Sequence, residues 1–191
     1  IESYSNYSNN PFDYMESLAN RPKIKIVSKP VLISNTPNPD DVIIKSSIMY
    51  HFQCSEQEAK QIMEESEKID PEYKAKSMNI ILHKEERREL EQVSFTFQIP
   101  ISLSILTHLT RHRMHSLLIP EFTPLWDFNN FIIPATIQAK SELKNIFINA
   151  QKENMEIFEE FKNSNVSDED LIYFYLGCQM LNVVTTMNGR T

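Results

Sequence analysis

Glycine is nearly missing: Gly177 and Gly189 are the only two in a chain of 191 residues. A dinucleotide fingerprint or a phosphate-cradling P-loop needs several glycines close together, so both classes are excluded. Cysteine is as scarce. Cys54 and Cys178 lie far apart and form no C-x-x-C pair, which points to a reducing cytoplasm with both thiols as small core residues. Long apolar runs are also lacking. Stretches such as Leu117-Leu118-Ile119-Pro120 fall far short of the roughly 20 residues a membrane span needs. No basic-then-apolar leader opens the sequence, which speaks against secretion, and a first residue other than Met makes a fragment the expectation. Positive charge is in deficit, with 19 Lys plus Arg against 26 Asp plus Glu and a net charge of −7. That disfavours general binding to nucleic acid or anionic membranes. A small anion at a local basic cluster stays open.

What is present is ordinary core material. Hydrophobic residues make up 41% and charged residues 24%, and 11 Phe, 7 Tyr and 8 Met supply bulk for one domain. Residues 1–22, rich in Ser, Asn and Tyr, read as an N-terminal arm, and residues 23–191 as the domain. Ile24, Ile26 and then Val31 to Ile33 across Pro30 suggest an edge strand. A Pro-rich turn at 36–40 delivers a helix over 40–51, and Ser55 with Glu58 makes a capping box for a second, to about Lys68. Pro71 allows a third over 72–82. Val93, Phe95, Phe97 and Ile99 alternate with polar residues, the period of a half-buried strand ended by Pro100. Ile101, Ile105 and Leu109 predict a helix over 101–116. A short strand at 131–133, a long helix over 136–162 and a last helix over 169–187 complete the reading. Without βαβ alternation the class is α+β, a small antiparallel-rich sheet flanked by long helices.

Chemistry concentrates in His108-Leu109-Thr110-Arg111-His112-Arg113-Met114-His115-Ser116, which holds three of the five histidines. On the expected helix His108, His112 and His115 share a face, as in a metal site. Against a metal, no acid lies within the cluster, and Arg111 and Arg113 would repel a divalent cation. Their rigid donor forks suit phosphate or carboxylate. A solvated basic helix end explains the same residues without a ligand. Asn188-Gly189-Arg190 is a second candidate, its plain alternative being a helix C-cap followed by a surface Arg. Glu91-Gln92 reads as polar entry to a strand. Nucleophilic catalysis has little support: neither Cys has a neighbouring His, and no Ser sits in a G-x-S-x-G elbow.

Taken in order, these segments resemble the flavin-dependent thymidylate synthases. Arg111-His112-Arg113-Met114-His115-Ser116 reproduces the first half of that family's Arg-His-Arg signature without a gap. Glu91-Gln92-Val93-Ser94-Phe95-Thr96-Phe97 is similar to its Glu-His-x-x-Phe-Thr-Phe strand, Phe131-Ile132-Ile133-Pro134 to its Phe-Tyr-Ile-Pro, and Met187-Asn188-Gly189-Arg190 to its Val-Asn-Ala-Arg. The segment from Ile33 to Pro39 and the helix after it match the opening strand, turn and helix. The resemblance implies a mixed α+β subunit in a homotetramer with active sites at subunit contacts. It further implies FAD as cofactor, a pyrimidine nucleotide of the dUMP type as substrate, and methylenetetrahydrofolate and NADPH as co-substrates. No protein nucleophile is required, and no residue is assigned as the catalytic group.

Carried over by position, Arg111, His112, Arg113 and Met114 would contact FAD, as would Asn188, Gly189 and Arg190. With two extra residues after Ser116, Glu121 would stand for the loop Glu, at both cofactor and substrate. His108, Arg111 and Thr123 would face the nucleotide, Thr123 in place of the loop Ser and His108 in place of a Gln. Two departures concern phosphate: the family's phosphate-binding arginines fall at Leu125 and Ile172. The family also continues with a further Asn, Arg and His, which here would lie past Thr191. The expectation is FAD-dependent methylation of a pyrimidine nucleotide. The alternatives are the same flavoenzyme with a changed substrate, or a non-catalytic oligomeric binding module.

Overall fold

The computed structural model describes residues 25–112, 114–120 and 128–191, so the expected arm at 1–22 lies outside the described residues. Strand β1 (Val31–Asn35) leads through a Pro-rich turn into three helices, α1 (Pro39–Phe52), α2 (Glu56–Ile69) and α3 (Tyr73–His83). A 3-10 turn at Arg88–Gln92 then feeds β2 (Ser94–Ser102), followed by α4 (Leu103–Leu109) and β3 (His115–Leu118). Next come α5 (Ala135–Gln138), α6 (Ser141–Lys162), the short α7 (Asp168–Leu171), a 3-10 turn at Ile172–Phe174 and β4 (Met180–Asn188). The fold is α+β. Among the described residues four strands pair antiparallel in the order β1-β2-β4-β3, with β1 and β3 at the edges.

Local chemistry sets most boundaries. Pro39 stands in the first turn of α1 with Asp40 and Asp41, where a missing N–H costs nothing and acids favour the dipole. The α2 capping box forms as expected: the Ser55 hydroxyl accepts from the Glu58 amide at 3.3 Å, and the Glu58 carboxylate accepts from the Ser55 amide at 2.8 Å. Two apolar cores result. Ile43, Ile44 and Ile48 of α1 pack with Ala59, Met63, Ile81, Leu90 and Val93, while Phe158 of α6 packs with Ile101, Leu106, Phe128, Leu171, Tyr175, Leu181 and Val183. Burying each large apolar side chain stabilises by about 1.5–3 kcal/mol relative to exposure.

Several expectations are corrected. The last helix over 169–187 is replaced by α7, a 3-10 turn and β4. Leu181, Val183 and Thr185 are 2%, 0% and 1% exposed and alternate with half-buried neighbours, so the operative period is two. Pro100 does not end β2. The β1 ladder stops at Val31–Gln98, so Pro100 lies past the last pair with β1. Meanwhile β2 stays paired with β4 to Ser102–Met180. The expected strand at 131–133 is a single bridge, Phe131 to Gln179. The helix over 136–162 is broken where Lys140 adopts an extended backbone, φ −122°, between α5 and α6. Cys54 and Cys178 are half-buried, Cys54 packing against the Ile43, Ile44 and Ile48 core. Among the described residues no helix is long and apolar enough to cross a membrane.

Candidate functional site

Antiparallel order brings three distant segments to one end of the sheet. Ser94 at the start of β2 pairs with Asn188 at the end of β4, and His115 at the start of β3 pairs with Met187. Glu91-Gln92, Met114 and Asn188-Gly189-Arg190 therefore meet. The Arg190 guanidinium pairs with the Glu91 carboxylate across that end. Thr191 Oγ1 lies 3.3 Å from the Met114 carbonyl oxygen and 3.0 Å from Asn188 Oδ1, so one hydroxyl proton serves both acceptors. Asn188 Oδ1 also accepts from the amides of Arg190 and Thr191 at 3.0 and 3.1 Å, an Asx turn that spends the oxygen and leaves Nδ2 as a donor.

Gly189 is required by close approach. Its amide donates to the Leu90 carbonyl at 3.0 Å, and a Cβ there would meet that oxygen at 2.9 Å and Val93 Cγ2 at 3.1 Å. The Asn188-Gly189-Arg190 segment is thus welded to the turn before β2, and it follows a strand rather than capping a helix.

The histidine cluster is rearranged by the same topology. The helix ends at Leu109, because Thr107 Oγ1 and Thr110 Oγ1 donate to the carbonyls of Ser104 and Thr107 at 2.7 and 3.2 Å. Such hydroxyls compete with the helical ladder. Arg111 and His112 form the turn that closes it, their amides donating to His108 and Leu109 at 3.1 and 3.0 Å. His115 then enters β3, held beside β4 where Thr185 Oγ1 donates to the Ser116 carbonyl at 3.1 Å. His108, His112 and His115 consequently share no helical face, and the geometry behind the metal reading is gone. Among the described residues no three His, Cys, Asp or Glu side chains are grouped to hold a metal ion. His108, Arg111, His112 and Met114 are exposed and His115 is half-buried. Arg113, Glu121, Thr123 and Leu125 lie outside the described residues. Ile172 packs against the Phe158 core, so this position contributes apolar packing and no donor.

The sequence reading missed a cavity of about 610 Å³ beside this cluster, lined by Met49, Tyr50, Lys84, Arg87, Arg88 and Gln92 among others. Its signal was the charge run from Lys84 to Glu89, which on its own reads as a solvated surface. The Lys84 ammonium sits 2.6 Å from the Glu89 carboxylate. Burial, the largest single influence, pushes the Glu89 carboxyl up, but the Lys84 hydrogen bond, a backbone hydrogen bond and the nearby positive charge together outweigh it and hold the group below the usual carboxylate range. Cys178, by contrast, is pushed up by burial. The sheet-end cluster as a whole offers guanidinium, imidazole and amide donors, with Glu91 already engaged: chemistry suited to a phosphate-bearing ligand.

A family model described as thymidylate synthase complementing protein matches residues 31–191. The fold is similar to that of the UMP/dUMP methylase PolB from Streptomyces cacaoi bound with 5-Br dUMP, at 15% identity and a TM-score of 0.59 over 87% of this chain and 76% of that one. The same methylase bound with 5-Br UMP gives 14% and 0.57 over 87% and 75%. Thymidylate synthase X from Helicobacter pylori with FAD and dUMP gives 16% and 0.51 over 85% and 79%. No curated protein matches the sequence significantly.

Proposed function

Since the chain belongs to the thymidylate synthase complementing protein family, we propose that it is a flavin-dependent methyltransferase acting on a pyrimidine nucleotide of the dUMP type. The observation that supports this reading best is the meeting of Glu91, Met114 and Asn188-Gly189-Arg190 at one end of the sheet. Three of the segments that carry the family resemblance are joined there by the topology.

The residues present fit FAD by donor chemistry. Arg111 offers fixed positive charge to a diphosphate, Arg190 keeps N–H donors beyond its pair with Glu91, Asn188 Nδ2 is a spare donor, and the bare Cα of Gly189 keeps the backbone close to Leu90. His112, Arg113, Met114 and Glu121 complete the proposed cofactor set. When bound, FAD would supply the hydride that reduces the one-carbon unit delivered by methylenetetrahydrofolate, with NADPH as electron source. His108, Arg111, Glu121 and Thr123 would orient the nucleotide, and Glu91 would hold Arg190 in place. A homotetramer with sites at subunit contacts agrees with β1, an edge strand whose Val31, Leu32 and Ile33 are 42%, 49% and 55% exposed. The proposed setting is the cytoplasm.

A second reading keeps the flavin and changes the substrate. Ile172 favours it, since a core-packed side chain at a phosphate-Arg position offers no donor. Titration with excess FAD, followed by visible absorbance, tests the common part. The protein should turn yellow, and Arg190→Ala or Arg111→Ala should weaken binding about tenfold, the value of a charge-assisted hydrogen bond. Protein that stays colourless would refute both readings. Production of thymidylate from dUMP then separates them.

A further inference from the structure

Six charged residues in a row, Lys84-Glu85-Glu86-Arg87-Arg88-Glu89, line or border the cavity beside the sheet-end cluster, and their charges are unevenly matched. Lys84 pairs with Glu89 at 2.6 Å and Arg88 with Glu86 at 3.3 Å. Among the described residues no carboxylate pairs with Arg87. Its Nε donates to the Lys84 carbonyl at 3.0 Å, which fixes the guanidinium and leaves both Nη groups as donors. An exposed Arg with these properties is, alone, a solvated side chain. The cavity makes the difference. Arg87 shares about 610 Å³ of space with Ser46, Met49, Tyr50 and Gln92, a volume in the range of small-ligand sites. The Tyr50 side chain is 72% exposed and with Met49 offers an apolar wall for a planar ring. Ser46 and Gln92 supply neutral hydrogen-bonding groups. Glu85, the other charge of the run without a pair among the described residues, does not line the cavity. The lining carries Lys84, Arg87 and Arg88 against Glu86 and Glu89. The charge left over there is the planar Arg87 guanidinium, which disfavours a cation and suits a phosphate oxygen pair.

The geometry points to this cavity as the seat of a nucleotide phosphate, with Arg87 as its donor. The inference rests on the nucleotide chemistry proposed above and deepens it: the turn that lines the cavity also carries Glu91, the partner of Arg190, so cavity and cluster share a wall. FAD and dUMP both present a phosphate next to a planar ring, and the test separates them.

Full-length protein and its Arg87→Ala variant are titrated calorimetrically with FAD, riboflavin, dUMP, deoxyuridine and inorganic pyrophosphate. Arg87 is exposed, so its removal should leave the fold intact, with circular dichroism as the check. The expected result is a loss of about tenfold or more for FAD or for dUMP, with no change for the phosphate-free counterpart. Whichever phosphate-bearing ligand responds is the occupant. Arg87→Lys, which keeps the charge without the fork, should recover part of the loss. Equal binding by both proteins would overturn the inference, as would a parallel loss of ligand and phosphate-free counterpart. If neither FAD nor dUMP binds the unmodified protein, the flavoenzyme reading fails. Pyrophosphate then decides the cavity alone: binding that Arg87→Ala abolishes sustains the site, and absence of binding removes it.

Discussion

Replacing Gly189 with Ala puts a methyl group in place of a hydrogen at a close backbone approach at the sheet end. The new Cβ would stand 2.9 Å from the Leu90 carbonyl oxygen, 3.1 Å from Val93 Cγ2 and 3.5 Å from Leu90 Cβ. Ordinary contact would require about half an ångström of separation at a backbone atom that also accepts the Gly189 amide at 3.0 Å. Overpacking of this kind costs about 1–3 kcal/mol. Against it stands the loss of unfolded-state freedom on Gly→Ala, worth about 0.4–1 kcal/mol. The net expectation is destabilisation of about 1–2 kcal/mol, or about 2–8 °C in Tm for a chain of this size. Gly177→Ala is the matched control, because its Cβ would meet only Ser104 Cβ, at 3.5 Å, and Ser104 Oγ, at 4.0 Å. Differential scanning calorimetry of both variants, with FAD titrated afterwards, tests the argument. Gly177→Ala should be neutral or slightly stabilising. A Gly189→Ala melting temperature at or above that of Gly177→Ala would refute the close-approach reasoning. The family pattern has Ala here, so the result also tests whether this chain has drawn its Leu90 turn inward.

Ser55→Ala should cost about 1 kcal/mol by removing the α2 cap. The Ser55 hydroxyl and amide hold the Glu58 carboxyl below its ordinary value of 4.5, so its contribution is full above that value and is lost as pH falls through the lower folded one. Ser55→Ala should flatten that acid limb in urea melts recorded from pH 3 to 6. Arg87→Gly should raise stability by about 1 kcal/mol in chemical denaturation, because Arg87 sits at φ 45° in the left-handed region, where only glycine is unstrained. Phe158→Ala should cost about 3–5 kcal/mol, since the ring is 1% exposed and packs 4.5 Å from Phe128; a urea midpoint unchanged from the unmodified protein would exclude it as a core anchor.

Legibility in the sequence followed the range of the interactions. Helices α1 to α3 were readable because Pro39, the Ser55–Glu58 box and Pro71 announce themselves within four residues. β4 was misread because Ile172, Tyr175, Cys178 and Leu181 also suggest a helix at three-residue spacing, and only the β-branched run Val183-Val184-Thr185-Thr186 argues for a strand. What decides between them is the partner: β4 is central, paired along its whole length with β2 and for four residues with β3. β3 has the same origin. His115 to Leu118 is too short to carry a period of its own, and it becomes a strand because β4 offers an edge.

The site was legible as residues and illegible as a place. Each motif could be quoted from the chain, yet Glu91 and Arg190 are 99 positions apart, and nothing local says that they touch. Their contact follows from three steps of topology. β2 starts just after Glu91, β4 runs antiparallel to it, and β4 ends just before Gly189, whose amide then bonds to Leu90. The former expectation of a terminal helix would have put Arg190 at a helix end with no defined neighbour. Once β4 is a strand, the same residue is fixed to within a hydrogen bond of the turn that also borders the Arg87 cavity. The error in secondary structure was therefore also the reason Glu91 looked like a plain polar entry to a strand: its role depends on a partner that only the correct strand delivers.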